Sequence, residues 1–203
     1  MFRPAEELTH RSRCGGSEPH RIHGLPGRNS VDTYGPDRQP PGVRENPMSI
    51  ELEPLSENNL GALLEAAVAD ADPSEVMPPV AGEPGWTAQR KQAFLEFHRG
   101  RALRAEGPVE LTYVITVDGR AVGAARLEYQ GDSFEAGVWI GRSHRGRGVG
   151  RAVAERLRIA AVAAGVRRIV AVTTGDNTAA RRLLPTATPV DEDGTVRAAV
   201  DLE

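Results

Sequence analysis

The sequence lacks the features that mark secreted, membrane-spanning or cysteine-based metal proteins. Cys14 is its only cysteine, which excludes an intrachain disulfide and a cysteine-rich zinc site. No apolar run approaches the roughly 20 residues that span a bilayer. The N-terminus has no apolar segment of the kind found in signal peptides. These absences predict a soluble, cytoplasmic protein with no membrane partner.

An excess of charge of one sign is also lacking. The formal net charge of −3 gives no general attraction to nucleic acid or to anionic lipid. Lys91 is the only lysine, so arginine supplies nearly all the positive charge. A GC-rich genome explains this bias, and we assign no function to the arginines as a group. The length of 203 residues suits one ordinary domain with its own core.

Residues 1–47 differ in composition from the rest of the chain. They contain seven prolines, six glycines and three of the five histidines, and no period of 2 or 3.6 persists there. Such a segment buries too little apolar surface to offset its ordering entropy. We therefore predict a disordered or loosely attached extension at 1–47 and a folded domain at 48–203. His20 and His23 stand among prolines and glycines without an acidic cluster, so we expect no metal site there.

The predicted domain begins with one strand and two helices. Apolar residues in 50–55 predict a short strand, and Ser56 can cap a helix that runs to about Asp70. The segment 70–86 contains four prolines and predicts a loop. Thr87 can cap the second helix.

The hydrophobic period then changes to two, which predicts a meander of three strands. These strands cover 109–117, 120–129 and 134–140, and Asp118-Gly119 is a strong hairpin signal between the first two.

Alternating helices and strands follow the meander. The pattern predicts a helix at 150–164, a nearly continuous apolar strand at 168–174, a short helix at 177–184 and a final hairpin at 188–202 that turns at Asp193-Gly194. The whole order predicts one α/β domain with a mixed, mostly antiparallel sheet flanked by helices.

A glycine- and arginine-rich turn joins the third meander strand to the next helix. It reads Gly-Arg-Ser-His-Arg-Gly-Arg-Gly-Val-Gly-Arg from 141 to 151. The free N–H groups of a helix's first turn, with the positive end of the helix dipole behind them, attract anions. Glycines let the backbone approach a phosphate, and Arg145, Arg147 and Arg151 can attract or grip its oxygens. The turn therefore predicts a pyrophosphate site.

Two other phosphate-binding motifs do not match this turn. The P-loop needs a lysine followed by a hydroxyl residue after its last glycine, and neither stands in that place here. The dinucleotide fingerprint Gly-x-Gly-x-x-Gly needs its third glycine one residue later than Gly150, and it opens a βαβ unit rather than following a meander. A dinucleotide oxidoreductase is therefore disfavoured.

The spacing Arg145-x-x-Gly148-x-Gly150 resembles the acetyl-CoA signature of the GNAT superfamily of N-acetyltransferases. The resemblance extends to the strand before it and to Asn177-Thr-Ala-Ala, which is similar to that family's Asn-x-x-Ala segment. The order of elements over 48–203 also fits. The resemblance implies a GNAT-like acyl-CoA N-acyltransferase fold and an enzyme that uses acetyl-CoA and no metal.

The resemblance also implies which residues hold the cofactor. In that family acetyl-CoA lies in a wedge between the third meander strand and the next strand. Backbone groups of the meander strand would pair with the pantetheine arm, the glycine-rich turn would bind the pyrophosphate, and the asparagine would contact the pantetheine side. The implied residues are Val138, Trp139, Ile140, Arg145, Gly146, Arg147, Gly148, Val149, Gly150, Arg151 and Asn177.

Catalysis in the family is direct transfer of acetyl to a neutral amine, so a base must remove a proton from the acceptor. Glu135 and Glu128 are the candidate bases, although exposed strand carboxylates are mostly only solvated. Alternation predicts that Glu135 points opposite to Val138. The family usually places a tyrosine, the general acid, seven residues after the asparagine. Leu184 stands there, so we assign no general acid.

The predicted acceptor side comprises the first two helices and their loop. From Met48 onward the chain has 22 acidic and 18 basic residues, which suits a cationic acceptor. A small-molecule amine is the first hypothesis, with an aminoglycoside-type antibiotic as the leading substrate and antibiotic resistance as the role. Two alternatives stay open: acetylation of a protein N-terminus or lysine, and a non-catalytic module that senses acetyl-CoA. The assembly state is also left open, a homodimer included.

Overall fold

One six-stranded sheet organises the domain. The computed structural model describes residues 48–184 and 189–202, and the extension predicted at 1–47 lies outside the described residues. In chain order the elements are β1 (Ile50–Pro54), α1 (Glu57–Asp70), α2 (Pro73–Val76), α3 (Ala88–Ala102), β2 (Glu110–Val117), β3 (Arg120–Gln130), β4 (Ser133–Ile140), α4 (Val149–Ala163), β5 (Arg168–Thr174), α5 (Thr178–Arg181) and β6 (Thr195–Asp201). None of the described helices is long and apolar enough to cross a membrane.

The strands lie side by side in chain order, from β1 to β6. β4 and β5 pair in parallel, while the other neighbouring strands pair antiparallel. This confirms the predicted mixed, mostly antiparallel sheet. Asp118 (φ 50°) and Gly119 (φ 75°) form the predicted hairpin turn between β2 and β3, and both adopt the left-handed conformation that such a turn requires.

Side chains alternate between the two faces of the sheet, so the strands contribute residues to two separate cores. On one face, α4 packs buried residues such as Val153 and Leu157 against the sheet. On the other face, α1 and α3 contribute Leu63 and Phe94. A polar residue that points to the second face of β2, β3 or β4 is therefore covered by the helical layer, and this layer forms one side of the site described below.

The segment 70–86, which the sequence predicts as a loop, contains the short helix α2. Pro73 occupies the first helical position, where its missing N–H costs nothing. Asp72 caps the helix by accepting a hydrogen bond from the Ser74 backbone N–H at 3.0 Å. The prediction of a continuous loop was wrong because it treated every proline in the segment as a helix breaker.

The predicted final hairpin is only partly present. The turn exists, and the Gly194 N–H donates to the Asp191 oxygen at 2.9 Å. However, residues 189–194 form no strand, and β6 pairs with β5 instead. The prediction failed because the open edge of β5 already offers β6 a complete row of backbone partners. Thr188, where the predicted hairpin begins, lies outside the described residues.

Candidate active site

β4 and β5 pair along only part of their length. In the described structure their register runs from Phe134–Ile169 to Ala136–Ala171 and does not continue beyond it. Backbone groups alternate in direction along a strand, so Val138 and Ile140, which are in phase with Ala136, direct theirs toward the gap that opens there. An extended ligand can bind such backbone groups in the manner of an added strand.

Trp139 is oriented differently from its two neighbours. Its backbone oxygen approaches Gly123 of β3 so closely that a Cβ at Gly123 would collide with it. Its side chain packs against the core formed by α1 and α3. Three residues are predicted to pair with the cofactor through their backbone. Of these, Val138 and Ile140 border the gap, whereas the backbone oxygen of Trp139 faces β3 and its indole lies on the sheet face that α1 and α3 cover.

The glycine-rich turn ends at the start of α4. Gly146 (φ 74°) and Gly148 (φ 82°) both adopt left-handed backbone conformations, and a Cβ added to either would meet no atom within 4 Å. Gly148 is the N-cap of α4, which begins at Val149. Open space therefore lies beside the positive end of this helix at Gly146 and Gly148, and such a helix start suits a phosphate.

The three arginines of this turn have different partners. Arg145 Nε donates to the Ile140 backbone oxygen at 2.8 Å, and Arg145 Nη2 lies 3.3 Å from a carboxylate oxygen of Glu75. Arg147 and Arg151 form no ion pair with any residue in 48–184 or 189–202. Arg145 thus shapes the turn, and Arg147 and Arg151 supply the unpaired positive charge near the start of α4.

Asp70, the last residue of α1, holds the beginning of the turn. It accepts hydrogen bonds from the Ser143 hydroxyl at 2.5 Å and the Ser143 N–H at 2.9 Å, and His144 Nδ1 is 3.8 Å away. These contacts, chiefly the hydroxyl bond, lower the pKa of Asp70. Gly141 allows the close approach, because a Cβ there would lie 2.5 Å from the Asp70 carboxylate.

Glu75 on α2 makes a second link to the same turn. Its carboxylate lies 3.3 Å from Arg142 Nη2 and 3.3 Å from Arg145 Nη2. Partial burial opposes ionisation of Glu75. The Asp72 N–H and the two guanidinium charges outweigh that effect and lower its pKa. The glycine-rich turn and the α1–α2 segment are therefore joined by ion pairs.

A cleft of about 500 Å³ lies between the sheet and the α2–α3 segment. Its lining includes Gly137 and Val138 of β4 and Val172 of β5, so the cleft reaches the gap between these strands. The fully buried Glu110 lies 2.7 Å from Arg101 Nε. Charged residues therefore line the cleft that reaches the gap between β4 and β5.

Glu110 belongs to a network of opposite charges. The Thr112 hydroxyl donates to it at 2.7 Å, and Arg126 Nη1 is 3.4 Å away. Arg101 Nη2 also lies 2.8 Å from Glu128, and Arg126 contacts the same carboxylate. Arg101 is thus held by two carboxylates, and Arg126 by these two and by Glu135.

The two candidate bases occupy neighbouring positions on this face, since Glu128 pairs with Glu135 in the β3–β4 register. Glu128 lines the cleft. Burial opposes its ionisation, but hydrogen bonds from Arg101 and Arg126 outweigh burial and lower its pKa. Glu135 lies 3.7 Å from Arg126 Nη2 and 4.0 Å from Arg197 Nη1. Its side chain lies on the face opposite to that of Val138, as the alternation predicts.

His98 of α3 is a buried histidine on the cleft wall. It is 4% exposed and packs edge-on against Phe94 and Phe97. Burial lowers its pKa to about 4, with Glu110 opposing and Arg101 reinforcing the shift. The imidazole is therefore neutral at pH 7. Neither of its nitrogens has a hydrogen-bond partner among the described residues, and the same holds for the buried Trp139 Nε1.

Asn177 and Leu184 flank α5. The Asn177 side-chain oxygen accepts a hydrogen bond from the Ala180 N–H at 3.1 Å, so it caps this helix and leaves its Nδ2 group for another acceptor. The helix is shorter than the predicted 177–184. Leu184 is half-buried and offers no proton.

Sequence reasoning missed Glu110, Arg101, Arg126 and His98. A signal was available for the first, because Glu110 and Thr112 are in phase with Val114 on the covered face of β2. A charged residue on a covered face needs a partner. The partners themselves come from α3 and β3, and the sequence does not indicate that these positions converge.

A mixed sheet that opens between two parallel strands, beside a glycine-rich helix start, is the arrangement expected of an acyl-CoA-dependent N-acyltransferase. Residues 76–185 match the Acetyltransferase (GNAT) family. The match covers more than half of the chain, so the protein belongs to this family. It is an acetyl-CoA-dependent N-acetyltransferase.

Solved structures share the fold at low sequence identity. Mycobacterium smegmatis RimJ in complex with CoA-disulfide is 22% identical, with a TM-score of 0.59 over 75% of this chain and 81% of that one. The GNAT domain of S. lividans PAT is 20% identical, with a TM-score of 0.54 over 74% and 89%. The spermidine/spermine N-acetyltransferase SpeG from Vibrio cholerae is 17% identical, with a TM-score of 0.54 over 75% and 93%. These likenesses show the fold alone, and no curated protein sequence matches the chain.

Proposed function

We propose that the protein transfers the acetyl group of acetyl-CoA to a primary amine of a small cationic molecule, with aminoglycoside-type amines as the leading candidates. The observation that carries this proposal is the charge of the cleft. Three carboxylates line it, from Glu75, Glu110 and Glu128, against the two guanidinium groups of Arg101 and Arg126. The lining residues thus carry one more negative than positive charge, which favours a cationic acceptor over an anionic one.

The residues around the gap fit acetyl-CoA. The N–H groups of Val138 and Ile140 border the gap, and open space lies at Gly146 and Gly148 beside the start of α4. When bound, acetyl-CoA supplies an activated thioester carbonyl. The Val138 or Ile140 N–H is suited to donate to that carbonyl oxygen, and Asn177 Nδ2 is suited to a pantetheine carbonyl.

Glu135 is the better of the two candidate bases. Glu128 has a lowered pKa and two guanidinium partners, which make it a weak proton acceptor. Glu135 has longer contacts, at 3.7 Å and 4.0 Å. We propose that it accepts the amine proton through water, from a position beside Glu128 in the strand register and outside the lining of the described cleft. Leu184 cannot protonate the departing thiolate, which is a tolerable leaving group without an acid.

The size of the cleft favours a small acceptor over a protein. Its volume of about 500 Å³ lies within the range of roughly 300 to 1,000 Å³ that small-molecule sites occupy. A panel of aminoglycosides, polyamines and peptides, assayed for release of free CoA, tests the proposal. Acetylation of peptides alone would instead support the protein-amine alternative. Binding of acetyl-CoA without release with any amine would support a sensor.

The base assignment has its own test. Glu135→Gln keeps the shape of the side chain and removes the proton acceptor, so the acetylation rate should fall by roughly a hundredfold to ten-thousandfold. Glu155→Gln on the exposed surface of α4 is the control and should leave the rate unchanged. If the pH–rate curve of Glu135→Gln matches that of the unaltered enzyme, Glu128 becomes the next candidate.

A further inference from the structure

Two buried groups in the cleft have polar nitrogens without partners. Both nitrogens of His98 and Nε1 of Trp139 lack a hydrogen-bond partner among the described residues, and both side chains line the cleft. A buried polar group without a partner destabilises the fold, so native proteins contain few of them. Their presence on one cleft points to a ligand that pairs with them.

The arginines of the same cleft, in contrast, all have ion-pair partners. Arg101 pairs with Glu110 at 2.7 Å and with Glu128 at 2.8 Å. Arg126 contacts Glu128 and lies 3.4 Å from Glu110. No guanidinium group that lines the described cleft is left to bind a substrate carboxylate. The imidazole and the indole are the buried side chains of this cleft whose nitrogens have no partner among the described residues.

Hydrogen-bond chemistry narrows what these two groups can bind. The indole N–H only donates, so it needs an acceptor on the ligand. A neutral imidazole has one donor and one acceptor nitrogen. A protonated polyamine offers only donors and would leave the indole unpaired. A hydroxyl group both donates and accepts, so it can satisfy either residue.

Both residues belong to the lining of the cleft, one from the sheet and one from the helical layer. Trp139 follows Val138 on β4, whose backbone borders the cofactor gap, and its indole lies on the cleft face of that strand. His98 comes from α3, which covers this face of the sheet. The cleft therefore has one of these residues on its strand side and the other on its helix side.

We propose that His98 and Trp139 select an acceptor amine that carries hydroxyl groups close to the reacting nitrogen, as amino sugars and amino alcohols do, over plain alkylamines and polyamines. This inference rests on the proposed function, because it assigns the chemistry of the acceptor in the same cleft. It makes His98 and Trp139 specificity-determining residues.

A matched pair of probes tests this selection. Glucosamine and cyclohexylamine are both six-membered-ring amines, and only the first carries hydroxyl groups; spermidine is the polyamine probe. The unaltered enzyme should favour glucosamine over both in kcat/KM by about tenfold or more, since a site built to hydrogen-bond a hydroxyl rejects analogues without it. Trp139→Phe should reduce that preference about tenfold, because it should raise KM for glucosamine more than KM for cyclohexylamine.

Melting temperature separates selection from a packing role. His98→Phe and Trp139→Phe remove unpaired nitrogens, so both should melt at the same or a higher temperature while the preference for glucosamine falls. Thr116→Val is the control, because Thr116 is a buried polar residue of β2 that does not line the cleft. It should leave the preference unchanged. A melting temperature that rises in the His98 and Trp139 variants with an unchanged preference would overturn the inference.

The outcomes for the two proposals are distinguishable. If the enzyme acetylates amines but treats glucosamine and cyclohexylamine alike, or prefers spermidine, the selection is wrong and the proposed function stands. If no amine is acetylated, the proposed function fails. Calorimetric titration of glucosamine and cyclohexylamine into the CoA-saturated protein then decides the inference. Tighter binding of glucosamine that Trp139→Phe abolishes supports it, and any other binding result overturns it.

Discussion

The acetyl-CoA side and the acceptor side of this domain are built in different ways. On the cofactor side, the gap-facing strand and the phosphate-binding turn both fall within 138–151, and the important features are backbone groups and glycine conformations. On the acceptor side, the cleft is assembled from α2, α3, β2, β3 and β4, and the important features are side-chain charges. A site made from residues that are adjacent in the sequence can be recognised as a motif, whereas a site made from residues that are distant in the sequence cannot.

The two sides also differ in how they tolerate substitution. The cofactor side depends on open space at Gly146 and Gly148, where an added side chain meets no neighbour but obstructs a ligand. The acceptor side depends on compensation of charge around the fully buried Glu110. We therefore expect changes on the first side to affect binding without unfolding, and changes on the second to affect stability.

The largest expected effect is on the cofactor side. Gly148→Glu should abolish measurable acetyl-CoA binding, a loss of at least about a hundredfold, because a carboxylate would fill the phosphate position with bulk and like charge. Calorimetric titration measures this. Gly165→Glu is the matched control, since Gly165 (φ 79°) has the same backbone conformation and open surroundings at the other end of α4. Equal affinity of the two variants would contradict the assignment of the turn.

The next effect is on the acceptor side. Arg101→Leu leaves the buried Glu110 without its closest partner, and should lower the free energy of unfolding by about 3 kcal/mol. Arg99→Leu on the same helix breaks the exposed pair with Glu57 and should leave the denaturation midpoint nearly unchanged. Chemical denaturation of both variants provides the comparison. Similar midpoints would show that burial of Glu110 does not govern this network.

A pH-dependent effect should follow from His98. Its pKa is about 4 in the folded protein, against 6.5 as the ordinary value, so the unfolded chain takes up a proton first as the pH falls. Stability should therefore decrease from pH 7 toward pH 4, by roughly 2 kcal/mol between pH 7 and pH 5, and this decrease should be absent in His98→Phe. Denaturation curves of both proteins across this range measure it. Parallel pH profiles would indicate that His98 titrates normally in the folded state.

The smallest effect concerns the predicted extension. A chain that begins at Met48 should keep its melting temperature and its acetylation rate, because 1–47 contains no core-forming pattern. Thermal denaturation and the CoA-release assay check this. A clear loss of either would assign residues 1–47 a part in the folded domain or its site.

Much of the fold could be predicted because its signals are local. The period of two in β2 to β4, the Asp118-Gly119 turn and the glycine that follows α4 each act within a few residues. The pairing of β6 with β5 could not be predicted in the same way, since it depends on which strand edge stays open in three dimensions. α2 was missed because a proline that begins a helix and one that breaks it look alike in the sequence.

The site also combines features that local sequence predicts with features that depend on long-range packing. The Arg145, Gly148 and Gly150 spacing predicts a cofactor-binding turn, yet it does not indicate that Arg145 bonds to the Ile140 oxygen and Glu75. The cleft contains His98 and Glu110 because α3 lies over β2, and no short motif specifies that placement. Long-range packing therefore determines the part of the site that distinguishes one acceptor from another.

The partial pairing of β4 and β5 has a thermodynamic consequence. A sheet that opens beyond Ala136 and Ala171 is completed only when a ligand lies in the gap, so the ligand binds the folded chain and has no equivalent site on the unfolded one. By mass action, a ligand at a hundred times its dissociation constant adds about 2.7 kcal/mol to the free energy of unfolding. The fraction of chains that stay folded, and so escape proteolysis, therefore rises and falls with the supply of acetyl donor.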